Sequence, residues 1–194
     1  MTRRASHPAK TRRVAGANGL LHPLDILYSA QGLPLPEFER IEGDQVPEPY
    51  RALLVHPKDM TPTLERFHAG RIYIEVMRRE RRENFYLREV VLRLDEDDTP
   101  VEFGANHVHL ERFPSEARWM VLQEKVPLGR ILKEHGIVHT TRPLGFFRVR
   151  SDLLINRALR LPEPVLLYGR KALISDPGRH LLSEVVEILP PVQA

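Results

Sequence analysis

Alternating apolar and polar residues mark out the strands of this chain, because successive side chains of a strand point to opposite faces. The pattern predicts strands at 71–79, 85–94, 101–110, 144–150, 165–174 and 181–189. Turn-forming residues, such as the acidic run at 95–98 and Asp176-Pro177-Gly178, separate several of them. Strands joined by short turns favour an antiparallel sheet.

Helical patterns come in blocks between these strands. They predict helices at 22–30, 49–55, 115–124 and 128–135, and a further helix with Thr61 as N-cap and Pro62 at its first position. The proline-rich segment 34–49 is typical of an extended linker, and residues 151–164 remain open between helix and loop. This arrangement predicts an α+β fold with a single antiparallel β-sheet and helices packed over one face.

Two charged residues stand at positions where the alternation predicts apolar ones. Arg88 shares a strand face with Val90 and Leu92, and Glu184 shares one with Val186 and Ile188. An unpaired buried charge costs several kcal/mol. One interpretation is a ligand cavity in which the planar guanidinium of Arg88 binds a carboxylate and Glu184 binds a hydroxyl or moves a proton. The alternative is that both reach the sheet edge or pair with each other.

Charge is distributed unevenly along the chain. Five basic residues and no acidic residue precede Asp25, so the net charge of +3 arises from the N-terminal segment. The segment is rich in Pro, Gly, Ala and Arg, which predicts a disordered basic tail at 1–20 and a single domain at 21–194. Such a tail could contact nucleic acid or serve in targeting. The body shows no basic stripe interleaved with aromatic residues, so we expect no nucleic-acid partner.

Composition excludes several other classes of protein. The chain has no cysteine, which excludes disulfides and thiolate metal sites, and no apolar run approaches the ~18 residues of a membrane helix. We therefore expect no membrane span and a cytoplasmic location. A phosphate-binding glycine loop, a nucleophile elbow and the HExxH zinc motif are all missing from the sequence.

Two further polar segments have a functional and a structural interpretation. His107, His109 and Glu111 would share one face of a strand, a possible metal geometry, but a solvated strand end explains them equally. We adopt the second interpretation and predict no metal. Tyr168-Gly169-Arg170-Lys171 could place a second cation near an anionic ligand, or could be a solvated strand end.

Five segments, taken in order, resemble the chorismate pyruvate-lyase family over about residues 50–190. Asp59-Met60-Thr61 is similar to a Ser-Met-Thr segment of that family, and Tyr86-Leu87-Arg88-Glu89-Val90 to its Trp-Leu-Arg-Glu-Ile strand. The other three are Pro127-Leu128-Gly129-Arg130, similar to a Pro-Leu-Gly-Arg helix start, Leu167-Tyr168-Gly169-Arg170, similar to a Leu-Trp-Gly-Arg strand, and Leu181-Leu182-Ser183-Glu184, similar to a closing Leu-Leu-Thr-Glu strand.

The resemblance implies a function and a set of site residues. The family eliminates pyruvate from chorismate to give 4-hydroxybenzoate without metal or organic cofactor, and buries the product under flaps. By this resemblance Arg88 would hold the ring carboxylate, and Glu184 would contact the ring hydroxyl and act as the acid or base. The backbone of Leu128 would help to bind the ligand, and Met60 and Thr61 would line the flap side.

The chain also departs from the family. Several members carry Arg-Thr where this sequence has Ala105-Asn106-His107, which removes the expected partner of a second carboxylate and leaves Arg170 as the remaining candidate. The predicted function is a chorismate lyase acting on an aromatic or cyclohexadiene carboxylate, with no cofactor. The alternatives are a non-catalytic aromatic-acid-binding protein, or a paralogue of the same fold that takes a different small carboxylate.

Overall fold

One antiparallel sheet of seven strands organises residues 19–82 and 84–192, the parts of the chain that the computed structural model describes. The strands are β1 Phe38–Ile41, β2 Ile72–Arg81, β3 Tyr86–Leu94, β4 Pro100–Val108, β5 Thr140–Arg150, β6 Leu166–Ser175 and β7 Leu181–Leu189. The helices are α1 Leu24–Ala30, α2 Tyr50–Leu54, α3 Met60–Phe67, α4 Ser115–Gln123, α5 Leu128–Glu134 and α6 Leu153–Leu159.

The strands pair in the order β1-β5-β6-β7-β4-β3-β2. Residues directly opposite each other across an antiparallel pair lie on the same face. Arg88 pairs with Asn106, and Arg170 pairs with Glu187. The face that carries these four residues is called the arginine face below.

The opposite face is called the histidine face, after His107. In the register of the sheet His107 of β4 lies beside Glu184 of β7, and Glu184 lies beside Leu173 of β6. Lys171, two positions before Leu173 on the same strand, shares this face.

Four helices cover the arginine face. Helices α2 and α3 pack with Val90 and Leu92 in one apolar cluster, and α4 and α5 pack with Val108 and Val185 in another. This arrangement confirms the predicted α+β fold class with its single antiparallel sheet. Helices α1 and α6 add a second layer, since they pack on the histidine face against residues such as Phe103 and Phe147.

Several element boundaries differ from the prediction. Helix α3 begins at Met60 with Asp59 as its N-cap, so Thr61 is not the cap. The segment 34–49 contains β1, which pairs with β5, and residues 151–164 contain α6, whose N-cap Asp152 accepts a hydrogen bond from the Ile155 N–H at 2.9 Å. Strand β5 begins at Thr140, earlier than the predicted residue 144. The prediction missed its first residues because a register shift between Pro143 and Gly145 interrupts the alternation there.

The predicted basic tail at 1–20 lies largely outside the described residues, which begin at residue 19. Leu20 is 7% exposed and packs with Leu21 and Leu24 in the apolar cluster of the histidine face, so the boundary of the folded domain lies earlier than residue 21. Within residues 19–82 and 84–192, no helix has the length and apolar character needed to cross a membrane.

Candidate functional site

Arg88 is a fully buried cation on the arginine face. Its side chain is 0% exposed, and its Nε donates a hydrogen bond to Asn106 Oδ1 at 3.1 Å. Both terminal nitrogens, Nη1 and Nη2, are buried without a hydrogen-bond partner among the described residues. Burial lowers the pKa of Arg88 to about 10, so the group remains a cation at neutral pH. Two donors of its planar fork are therefore available to an anion.

A cavity of about 40 Å³ lies beside Arg88, between the arginine face and the first turns of α3 and α5. Asn106, the partner of Arg88, lines it, so Arg88 adjoins the cavity through that side chain. A single water needs about 10–15 Å³ by the same measure, so the cavity as it stands has room for about three waters, and a cavity that holds a benzene ring measures about 150 Å³. Its lining is mixed: the apolar part includes Met60, Val90, Leu92, Leu128, Ile174 and Val185, and the polar part consists of Asp59, Thr61, Glu102, Asn106, Thr141, Arg170 and Glu187.

Gly129 lets the two helices approach each other at the cavity. A Cβ at this position would lie 3.2 Å from Thr61 Oγ1 and 3.4 Å from Asp59 Cβ. These distances are shorter than or at the edge of ordinary van der Waals contact, so a larger residue would push α5 away from α3. The glycine of the Pro-Leu-Gly-Arg segment thus has a packing role in closing the cavity.

Arg170 also lines the cavity and is 0% exposed, but four of the five N–H donors of its guanidinium are engaged. Its Nε donates to Glu187, and its Nη atoms donate to the carbonyl oxygens of Leu54 at 3.3 Å, His56 at 3.0 Å and Lys58 at 3.0 Å. Arg170 therefore fastens the segment between α2 and α3 to the sheet. The expectation that it binds a second carboxylate stays a prediction, which its ion pair with Glu187 and its bonds to the backbone disfavour.

Glu102 supplies a buried carboxyl group on the cavity wall. It is 4% exposed, and its Oε2 has no hydrogen-bond partner within the described part of the chain. Burial, reinforced by the neighbouring Glu187 carboxylate and opposed by Arg170, raises the pKa of Glu102 well above its ordinary value. The protonated form is thus favoured, and it can donate a hydrogen bond to a ligand.

Asp59 and His139 form an ion pair at the edge of the cavity. Asp59 accepts hydrogen bonds from His139 Nε2 at 2.9 Å and from Thr141 Oγ1 at 2.5 Å. Burial alone would raise the pKa of Asp59, but these hydrogen bonds and the nearby positive charges outweigh it and lower the pKa. The hydrogen bond to Asp59 in turn raises the pKa of His139. The pair closes α3 against β5.

The charges around the cavity leave one cation without a counterion. Arg170 pairs with Glu187, His139 pairs with Asp59, and Glu102 favours its neutral form. Among the described residues of this site, Arg88 alone has neither an ion-pair partner nor hydrogen bonds to its terminal nitrogens, although the Glu124 carboxylate acts on it electrostatically and its guanidinium lies 5.8 Å from the centre of the Tyr86 ring. The site is therefore suited electrostatically to a ligand with one negative charge.

Glu184 does not belong to this site, which corrects the prediction made from the sequence. It lies on the histidine face, where its Oε2 accepts a hydrogen bond from Lys171 Nζ at 2.7 Å. The alternation within β7 correctly places Glu184 on the same face as Val186 and Ile188, but it does not show which face of β7 lies on the same side of the sheet as Arg88. The register places His107, not Arg88, on the same face as Glu184.

The structure brings most of the other predicted residues together. Met60, Thr61, Leu128 and Arg170 all line the cavity. Sequence reasoning missed Asp59, Glu102, Asn106 and Glu187, which line it as well. A signal for Glu102 and Asn106 existed, because both share one face of β4 in an alternation of period two.

Comparison with known proteins shows similarity at the level of fold. No family model matches the chain, and no curated protein matches it. PhnF from Mycobacterium smegmatis aligns with a TM-score of 0.53 and 11% identity over 86% of this chain and 92% of that chain. The effector domain of PhnF from the same organism gives a TM-score of 0.51 and 10% identity over 68% of this chain and 88% of that chain.

A third match is the ligand-binding domain of a putative GntR-family transcriptional regulator from Bordetella bronchiseptica. Its TM-score is 0.43 at 11% identity, over 61% of this chain and 85% of that chain. The similarity to the PhnF structures shows that this chain shares their α+β fold. The expectation that nucleic acid is not a partner stays a prediction.

Proposed function

We propose that this chain binds a small organic monoanion, such as an aromatic carboxylate, with Arg88 as the anchor of the carboxylate. The observation that carries the proposal is the buried guanidinium of Arg88, whose two terminal nitrogens have no partner among the described residues and whose hydrogen-bond partner Asn106 lines a cavity. The chain also shares the fold of the effector domain of PhnF. Ligand binding without turnover is therefore our main proposal.

The energetics of Arg88 support a ligand. An unpaired buried charge costs several kcal/mol, and a chain that retains one gains that energy back when an anion binds. A carboxylate can accept both Nη donors at once, while Asn106 Oδ1 holds Nε and fixes the plane of the guanidinium. The apolar side chains of the lining would contact the remainder of the ligand, and a ring would require the cavity to widen from its present 40 Å³.

The lining also suggests how the far end of the ligand is bound. Four positions along β4 separate Asn106 from Glu102, a span of about 14 Å between their Cα atoms. A ligand that contacts both residues must bridge the gap between their side chains. The protonated carboxyl of Glu102 would donate a hydrogen bond to a hydroxyl or ether oxygen there.

Lyase activity on chorismate is a second candidate, and Glu102 is the observation that favours it. The protonated carboxyl could give its proton to the ether oxygen as the ring C–O bond breaks, and the resulting carboxylate could then take the ring proton. This makes the ring aromatic, restores protonated Glu102 and releases enolpyruvate, which converts to pyruvate. Chorismate, however, carries two carboxylates. With Arg170 engaged, the described residues of the cavity offer one free cation, which favours a monoanion over this substrate.

Calorimetric titration with benzoate, 4-hydroxybenzoate and neutral benzamide tests the binding proposal. We expect one saturable site for the two acids and much weaker binding of benzamide. Arg88→Met should weaken the binding of the acids by about 100-fold or more, since truncating one member of a buried charge pair costs about 2–5 kcal/mol. The matched control is Arg148→Met, which removes an exposed arginine paired with Glu39 at the sheet edge.

Incubation with chorismate separates the two candidates. Release of pyruvate and 4-hydroxybenzoate that is lost in Glu102→Gln would establish the lyase. Binding of aromatic acids without product would establish the binding protein. Unchanged affinity in Arg88→Met would contradict the anchor, and the failure of every acid to bind would contradict both functions.

A further inference from the structure

We propose that His22, His107 and Glu184 form a binding site for a divalent transition-metal ion such as Zn²⁺ on the histidine face. The site lies on the opposite side of the sheet from the cavity and does not depend on the function proposed for it. Two imidazole nitrogens and one carboxylate oxygen are a ligand set that zinc commonly takes in proteins.

The geometry of the three side chains suits one ion. One ligand atom from each residue lies within 4.8 Å of the others, with His22 Nε2 at 3.8 Å and His107 Nδ1 at 4.0 Å from Glu184 Oε1. Bonds of about 2.0–2.1 Å in a tetrahedron place ligand atoms about 3.4 Å apart. The two distances to Glu184 would therefore contract by roughly half an ångström, and the widest separation within the triad by up to about 1.4 Å, to complete the site.

His22 is already oriented as metal-binding histidines usually are. Its Nδ1 lies 3.1 Å from Asp25 Oδ1. A hydrogen bond to a carboxylate requires the proton on Nδ1, so the neutral ring turns the lone pair of Nε2 towards Glu184. Metal-bound histidines characteristically donate their other ring nitrogen to a carboxylate, which fixes the ring and makes it a stronger ligand.

His107 provides an independent indication of a ligand. Both of its ring nitrogens are buried, and neither has a hydrogen-bond partner in the part of the chain that the structure describes. The ring is held between His109, with which it stacks at 4.8 Å between centroids, and Phe85, which meets it edge-on at 4.7 Å. Buried polar atoms normally have a hydrogen-bond partner, and a metal ion bound to Nδ1 of His107 would take the place of one.

Glu184 and Lys171 complete the arrangement. Lys171 Nζ donates to Glu184 Oε2 at 2.7 Å and also to the carbonyl oxygen of His22, so it holds two of the three ligand residues in place. Oε1 of Glu184 remains free for the ion. The ammonium group would repel a cation, but the carboxylates of Glu184 and Asp25 outweigh it by one charge.

Solvent can reach the site. The side chains of His22, Glu184 and His107 are 28%, 21% and 17% exposed, respectively. An ion can therefore enter from solution, and water could occupy a fourth position, as in zinc sites with three protein ligands. This accessibility also makes the proposal measurable on the folded protein.

The test is metal titration of the untagged, chelator-treated full chain. Zn²⁺ is measured in competition with a chromophoric chelator, and Co²⁺ by its visible absorption bands. We expect one equivalent of each ion to bind, with cobalt bands of the intensity typical of four or five ligands. His22→Ala and Glu184→Gln should each weaken Zn²⁺ binding by at least about 100-fold, since the loss of a residue that only hydrogen-bonds to a metal ligand already costs about 10–100-fold.

The control is Glu111→Gln, which alters the other histidine–carboxylate combination near this strand end. His109 Nδ1 lies 3.6 Å from Glu111 Oε1, so His107, His109 and Glu111 are the competing site. Unchanged Zn²⁺ binding in this variant supports the proposal. The proposal is overturned if the wild-type chain fails to bind one equivalent, if His22→Ala binds normally, or if Glu111→Gln alone loses the ion. Circular dichroism of each variant verifies that it is folded.

Discussion

The charged residues on the two faces of the sheet differ in their burial and in their partners. On the arginine face Arg88 is completely buried, beside a cavity closed by α3 and α5, and keeps two donors unused among the described residues. On the histidine face Glu184 is partly exposed and already holds Lys171. The same sequence signal, a charge among apolar strand positions, thus has two physical outcomes. Which outcome a residue has depends on how deeply it is buried and on its partners. Both depend on the strand register, which the local sequence pattern does not give.

A second comparison lies within the arginine face. Arg88 and Arg170 are both 0% exposed, yet Arg170 binds a carboxylate and three backbone carbonyls while Arg88 binds one amide oxygen. The first has a structural role, and the second retains the capacity to bind. Four substitutions test the two comparisons, and they follow in order of decreasing expected effect on the free energy of unfolding.

Arg170→Met should give the largest loss. It leaves Glu187 without its partner and three carbonyl oxygens without their donor, and breaking a buried ion pair typically costs about 3–5 kcal/mol. Urea denaturation would measure the change in the free energy of unfolding. The exposed control Arg148→Met should change it by less than about 0.5 kcal/mol. Equal effects in the two variants would contradict the structural role of Arg170.

Arg88→Met should leave the free energy of unfolding unchanged or raise it by about 1–2 kcal/mol, because an apolar side chain replaces an uncompensated buried charge. Binding of aromatic acids should be lost in the same protein. Denaturation and calorimetry on one preparation give both results. A large loss of stability would mean that Arg88 has structural partners, and the contrast with Arg170 would disappear.

Glu102→Gln should stabilise the protein in a pH-dependent manner. Because the pKa of Glu102 is raised in the folded state, the unfolded chain gains free energy by ionising Glu102 as the pH rises above its ordinary value of 4.5. Wild-type stability therefore falls from there until the pH passes the folded-state pKa, and the variant escapes this loss. Melting temperatures should agree at pH 4 and be higher for the variant at pH 8. A difference that does not vary with pH would refute this account.

Glu184→Gln should have the smallest effect on stability, a loss of about 1 kcal/mol or less, because the amide oxygen can still accept from Lys171 and the group is partly exposed. Affinity for aromatic acids should not change, since Glu184 lies across the sheet from the cavity. Calorimetry with 4-hydroxybenzoate measures this. A clear loss of affinity would return Glu184 to the aromatic-acid site.

Local patterns in the sequence were sufficient for much of the fold. The predicted bounds of β7 agree with the structure, those of β3 and α4 agree within one residue, and the fold class is confirmed. The first residues of β5 were not predicted, because the bulge after Pro143 breaks the alternation of apolar and polar residues. Strand β1 was missed because its four residues, Phe38–Ile41, lie among prolines and have little apolar character.

The site was harder to predict because it depends on distant parts of the chain. The burial of Arg88 followed from its own strand, but its pairing with Asn106 depends on the β3–β4 register. The face of Glu184 depends on how β7 is aligned with β4, which no local pattern encodes. That most donors of Arg170 are engaged follows from contacts with residues more than a hundred positions away along the chain, in the segment between α2 and α3.

The position of β7 has a consequence for how the chain acquires its site. Although β7 follows the other strands along the chain, it lies in the middle of the sheet, between β6 and β4. Strand β7 thus separates two parts of the sheet: β2, β3 and β4 carry Arg88, Asn106 and Glu102, and β1, β5 and β6 carry Arg170. Pairing across such sequence distances is slow compared with the closing of hairpins. Ligand-binding capacity should therefore arise late and all at once during refolding, when β7 joins the two parts.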